Sequence, residues 1–177
     1  MKRPYMGYSL YELIVTMLIV ATLFSLGVPS FSALMARQAQ RAEIDALFHA
    51  IHLARKESIM RRKVVSLCPS PDGRTCNPGR DWSDGWIMFE NSDRDSPPRI
   101  DPGEILLQHH AVASDITIKA NRKGFTLRSV FLRATNGTFT VCDRRQRIRA
   151  KALVVSYTGR PRVASATTRG KPYTCAD

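Results

Sequence analysis

Twenty-four consecutive residues, Leu13–Ala36, carry no charge, and Arg37 and Arg41 end the run. As a helix rising 1.5 Å per residue, such a stretch spans roughly 36 Å, enough to cross a bilayer core. A chain that opens this way must place that helix in lipid or against other apolar helices. Only the rest can form a water-soluble body. Lys2 and Arg3 are the only charges ahead of the run apart from Glu12, and they favour a cytoplasmic N-terminus with the body on the far side of the inner membrane. A secretory signal has a shorter apolar core followed by a small-residue cleavage site; this run is too long, and no such site follows it. Glu12 stands at the start of the run, where a carboxylate is costly and marks a function by default. It either stays hydrated at headgroup level or pairs with a positive group on a neighbouring subunit.

The helical pattern continues beyond Arg37. Ile44, Leu47, Phe48 and Ile51 recur at i, i+3, i+4 and i+7, which predicts an amphipathic half over 37–63 ending near Arg62. From Val64 the pattern changes to short β-rich runs. Strands are predicted at Val64–Cys68, Trp86–Glu90, Glu104–His110, Ile116–Ala120, Phe125–Arg133, Thr138–Asp143 and Arg147–Tyr157, with turn residues between them. Asn136-Gly137 predicts a hairpin between the Phe125 and Thr138 runs. The acidic, proline-containing segment Asn91–Glu104 lacks the spacing and glycine of an EF-hand and reads as a solvated loop.

Cys68, Cys76, Cys142 and Cys175 are an even set, which in an exported domain reads as two disulfides, with three possible pairings. Pro69, Pro71, Asp72 and Gly73 make the loop between Cys68 and Cys76 easy to close, leaving Cys142 to pin Cys175 and the C-terminal tail. No C-x₂-C pair is present, so neither the cysteines nor His109 and His110 form a zinc signature. No nucleophile elbow, phosphate-binding loop or H-E-x-x-H occurs; no enzymatic activity and no cofactor are expected.

Gly7-Tyr8-Ser9-Leu10-Tyr11-Glu12-Leu13 resembles the class III signal of type IV pilins and type II secretion pseudopilins. The resemblance implies that a prepilin peptidase removes residues 1–7, that Tyr8 becomes the methylated N-terminus, and that Glu12 meets the terminal amine of an adjacent subunit during filament assembly. Residues 8–36 would be the membrane anchor and later the filament core. Pro29 matches the proline that kinks or melts this helix, through its missing N–H and its clash with the preceding turn. Ala54-Arg55, Leu67-Cys68, Cys76, Trp82, Gly85-Trp86, Phe89, Gly103-Glu104 and Leu106-Leu107 are similar to the GspH/FimT group of minor pilins and pseudopilins. That likeness implies an α+β, pilin-like fold: one long N-terminal helix packed on a β-rich head, residues 64–177, made of two antiparallel sheets.

Charge then separates the ends of the head. Residues 121–177 carry 13 Lys+Arg against Asp143 and Asp177, a net of +11 out of +12 for the 177-residue chain. Such asymmetry points to a polyanionic partner. In a strand, Arg147, Arg149 and Lys151 would share one face. In Gly159-Arg160-Pro161-Arg162, Gly159 permits a tight turn and Pro161 holds Arg160 extended, so that Arg160 and Arg162 would project the same way. Two guanidiniums on a stiff segment suit bidentate phosphate contacts. The four residues are also similar to the G-R-x-R motif with which FimT-like minor pilins of naturally competent bacteria bind DNA, and Arg169 and Lys171 would widen the patch. The sequence-based expectation is a pilus subunit that binds extracellular DNA through its phosphates. The alternative is a structural minor pilin or type II pseudopilin that primes a filament of other pilin subunits without binding DNA.

Overall fold

The computed structural model describes residues 9–128 and 133–175. Gly7 and Tyr8, and residues 129–132 of the expected Phe125–Arg133 strand, lie outside that set. One helix, α1 (Leu10–Arg61), is followed by eight strands: β1 (Val65–Pro69), β2 (Trp86–Glu90), β3 (Leu106–His110), β4 (Ile116–Ala120), β5 (Phe125–Leu127), β6 (Gly137–Asp143), β7 (Lys151–Val155) and β8 (Pro161–Ala164). The chain divides into two compact units at Met35 and Ala36.

In the first unit, Ser9 caps α1. The Glu12 backbone N–H donates to Ser9 Oγ at 3.3 Å, and the Leu13 N–H to the Ser9 carbonyl at 3.2 Å. Ser9 and Glu12 have the Ser-x-x-Glu spacing of a capping box, of which the bond to the Ser9 hydroxyl is the half seen here. The helix continues through Pro29. Within the apolar stretch, the hydroxyls of Thr16, Thr22 and Ser25 each donate to a carbonyl three residues back, so these polar groups are satisfied inside the helix, as lipid requires. This segment is long and apolar enough to cross a membrane.

In the second unit, Ile44, Leu47, Ala50, Ile51 and Ala54 of α1 are buried in one core with residues from both sheets. The two sheets are antiparallel with strand orders β3-β2-β1-β5 and β4-β6-β7-β8. Aromatic rings join them. Phe125 of the first sheet stacks on Phe139 of the second at 4.2 Å, and Trp82 meets Phe139 edge-on at 4.9 Å. β1 and β2 are buried on both faces. Leu67 and Met88 enter the main core, while Cys68, Ile87 and Phe89 form a second cluster with Cys76 and Ile100. Two side chains of α1 tie the helix to the strands. Gln40 donates from Nε2 to the carbonyls of Val141 and Arg149, both at 2.9 Å. Glu43 Oε2 lies 2.8 Å from His110 Nε2, and its other oxygen accepts the Ala113 N–H.

Both disulfides close as expected, Cys68–Cys76 and Cys142–Cys175. Three strand expectations need correction. Asn136-Gly137 does not turn a hairpin between β5 and β6, because β5 pairs with β1 in the first sheet and β6 with β4 and β7 in the second. Gly137 is a glycine because a Cβ there would lie 2.6 Å from Asn121 Oδ1. The last long strand begins at Lys151, not Arg147. The Gln146 N–H donates to the Asp143 carbonyl in a tight turn, with Gln146 at φ 56°, and this holds 144–147 off the sheet. An eighth strand, β8, occupies Pro161–Ala164, with proline as first residue of an edge strand, where the ladder does not need its N–H.

Candidate nucleic-acid interface

β7 and β8 form the hairpin that presents the Gly-Arg-Pro-Arg segment. The Gly159 N–H donates to the Ser156 carbonyl at 2.9 Å, and the Ser156 N–H to the Arg160 carbonyl at 3.1 Å. Gly159 sits at φ 70°, as the three-residue hairpin loop with a glycine bulge requires. It is also buried. A Cβ on Gly159 would lie 2.9 Å from Leu127 Cδ1 and 3.1 Å from Arg55 Nη1. Gly159 therefore shapes the loop rather than touching a ligand.

The ladder runs Val154↔Arg162 and Val155↔Pro161. Pro161 is buried, whereas Arg160 and Arg162 are exposed. Alternation along an extended chain puts both arginines on one outward face. Among the described residues, no carboxylate pairs with either guanidinium. Further cations surround the loop: Arg55 lies beneath Gly159, and the Arg133 guanidinium stands 5.9 Å from the centre of the exposed Tyr157 ring. Sequence reasoning missed Arg55, Arg133 and Tyr157. Tyr157 stands in the loop itself, whereas Arg55 and Arg133 come from distant segments, and the Ala134 N–H to Tyr157 carbonyl bond (3.0 Å) draws Arg133 to the loop.

The other expected contributors do not converge there. Arg147 is committed elsewhere. Its Nε and Nη2 donate to the carboxylate of Asp143, a fully buried side chain, at 2.9 and 2.6 Å, and Nη2 reaches Asp115 at 3.6 Å. The Arg147 side chain holds the Asp143 carboxyl below the usual carboxylate range against the opposing push of burial, and Asp143 in turn raises Arg147. A buried carboxylate needs such a counter-charge, so Arg147 neutralises the protein's own acid. Lys151 pairs with Val141, on the face opposite Arg162; the shared face expected for Arg147, Arg149 and Lys151 is not formed. Arg149 is exposed ahead of β7, on the segment anchored by Gln40. Arg169 and Lys171 are exposed on a turn of the tail, closed by the Thr167 N–H donating to the Lys171 carbonyl.

The acidic loop is more organised than a solvated segment. Asp93, Asp95 and Asp101 bring carboxylate oxygens within 4.8 Å of one another. Asp95 accepts the Arg99 N–H and the amide of buried Asn91, while Glu104 accepts the Ser92 and Asp101 N–H groups. These acids fold their own loop. All four cysteines are in disulfides, so none is left to ligate a metal.

A long N-terminal helix and two antiparallel sheets define a type IV pilin-like fold. The family model described as "Type II transport protein GspH" matches residues 43–159, well over half of the chain, and the chain belongs to that family. Two solved structures share the fold. The type IV minor pilin FimU of Pseudomonas aeruginosa is 19% identical with a TM-score of 0.54, over 79% of this chain and 97% of that one. The minor pseudopilin EpsH from the type 2 secretion system of Vibrio cholerae is 10% identical with a TM-score of 0.51, over 70% and 94%. No curated protein matches the chain by sequence. The family and these neighbours are pilins and pseudopilins, not enzymes.

Proposed function

We propose that this chain is a minor pilin of a type IV pilus that binds extracellular DNA without sequence preference, for uptake in natural transformation. The observation that carries the reading is the pair Arg160 and Arg162, outward on one edge strand and unpaired with any described carboxylate. Guanidiniums held this way make charge-assisted bidentate bonds to phosphate. Gly159 sets the loop, and Arg55 and Arg133 add to the local positive field. Membrane insertion precedes assembly: prepilin peptidase cuts after Gly7, Tyr8 is methylated, and Glu12 meets the terminal amine of a neighbouring subunit in the filament.

The test is an electrophoretic shift with detergent-solubilised full-length protein. Arg160→Ala with Arg162→Ala should nearly abolish the shifted band at moderate salt; binding within about twofold of the parent refutes the assignment. The family description favours a second reading, a type II pseudopilin that primes assembly without DNA. Deleting the gene separates the two. Loss of transformation with pili intact supports the DNA receptor, and loss of the filament itself supports the primer.

A further inference from the structure

The face that carries Arg160 and Arg162 does not end at the edge strand. The register aligns Arg162, Val154 and Thr138 in one row across β8, β7 and β6, and Ala164, Ala152, Thr140 and Lys119 in the next, extending to β4. Partners in an antiparallel ladder point to the same side, so Thr138, Thr140 and Lys119 share the side of Arg162. On that side lies a groove of about 680 Å³ whose lining includes Arg80, Asp81, Lys119, Thr138, Thr140, Thr167 and Tyr173. Its far wall is the C-terminal tail, laid against the sheet by Cys142–Cys175 and by the bridge between Ala166 and Pro172. From β8 to β6 is two interstrand steps, about 10 Å.

The lining has a definite chemistry. Arg80 is exposed and supplies the positive charge, Asp81 is placed beside Lys119 by the bridge between them, and the three threonine hydroxyls can donate and accept. Tyr173 offers an aromatic ring with a polar tip. The volume falls in the range of small-ligand pockets. An arginine for phosphate, hydroxyls for sugar or base edges, and one ring for stacking are what an unpaired nucleotide uses on a single-strand binding surface. A paired base, held in its stack, cannot enter such a groove.

We infer that this groove is a nucleotide subsite, and that a single strand held at Arg160 and Arg162 crosses the outer face of β7 and β6 to seat a base against Tyr173. The inference rests on the DNA-binding reading above and narrows its substrate to single strands. The test uses detergent-solubilised full-length protein, fluorescence anisotropy, an oligothymidylate of about 12 nucleotides and a duplex of the same length. The parent should bind the single strand more tightly than the duplex. Tyr173→Ala, which removes the ring, and Thr140→Trp, which fills the groove, should each weaken the single strand about tenfold, the effect of one lost stacking contact, and change the duplex by less than about twofold. A parent without preference for the single strand, or two groove variants that bind it as the parent does, overturns the subsite. If instead Arg160→Ala with Arg162→Ala leaves both probes unaffected, the DNA-binding reading itself fails.

Discussion

The different fates of Arg147 and the Arg160/Arg162 pair yield a quantitative prediction. A cation that neutralises a DNA phosphate releases condensed counterions, and each such contact adds about 0.9 to the slope of log K against log salt on duplex DNA. Arg160 and Arg162 face outward with no described carboxylate partner, so each adds a full contact. Replacing both by alanine should flatten the slope by about 1.8. Over a fourfold rise in salt the parent then loses about twelvefold more affinity than the double variant. Arg147 has its charge balanced by Asp143 and Asp115, so Arg147→Ala should leave the slope of the folded protein nearly unchanged. Anisotropy titrations of full-length protein at four or five salt concentrations, below the melting temperature of every variant, measure this directly. An Arg147 variant as flat as the double variant would refute the reasoning, because it would mean that the Asp143 pair opens to DNA. A double variant with the parent slope would show that phosphates lie elsewhere.

The remaining predictions concern what holds the surface in place. Gly159→Ala forces a Cβ into a left-handed backbone 2.9 Å from Leu127; it should destabilise the head by about 2 kcal/mol and lower the Tm by roughly 6 °C by near-ultraviolet circular dichroism, and an unchanged Tm would mean the loop repacks freely. Cys142→Ser with Cys175→Ser releases a loop spanning 33 residues, an expected loss of about 4 kcal/mol that urea unfolding under oxidising conditions would detect and a parent-like midpoint would exclude. The Asp143 carboxyl is held below its ordinary value by Arg147, so its stabilisation is full above its unfolded value, about 3.9, and is lost as pH falls through the lower folded value. The urea midpoint of the parent should therefore drop more steeply between about pH 5 and pH 2 than that of Asp143→Asn; equal slopes would remove Asp143 from the acid response.

What the sequence disclosed and what it withheld divide along the range of the interactions. Leu13–Ala36 and the Ile44, Leu47, Ile51 stripe are periodic patterns within one element, and they appear in α1 as read. Strands with strong β-branched or aromatic content, such as Trp86–Glu90 and Ile116–Ala120, kept their bounds for the same reason. The Asn136-Gly137 signal failed because its glycine serves a contact with Asn121, sixteen residues earlier, and a hairpin signal looks the same whichever demand placed the glycine. Arg147 was misassigned because alternation of basic and apolar residues predicts a strand, whereas the buried carboxylate of Asp143, four residues before it, wins its guanidinium and turns the chain. That competition is electrostatic and depends on burial, which spacing alone does not encode. Arg160 and Arg162 were legible because glycine and proline dictate their backbone locally, without help from the rest of the fold. The groove beside them was not, since it is assembled from Arg80, β4, β6 and a tail returned by a disulfide. In the proposed DNA complex the short motif would fix where the polyanion first touches, and the long-range fold would decide how far it then extends.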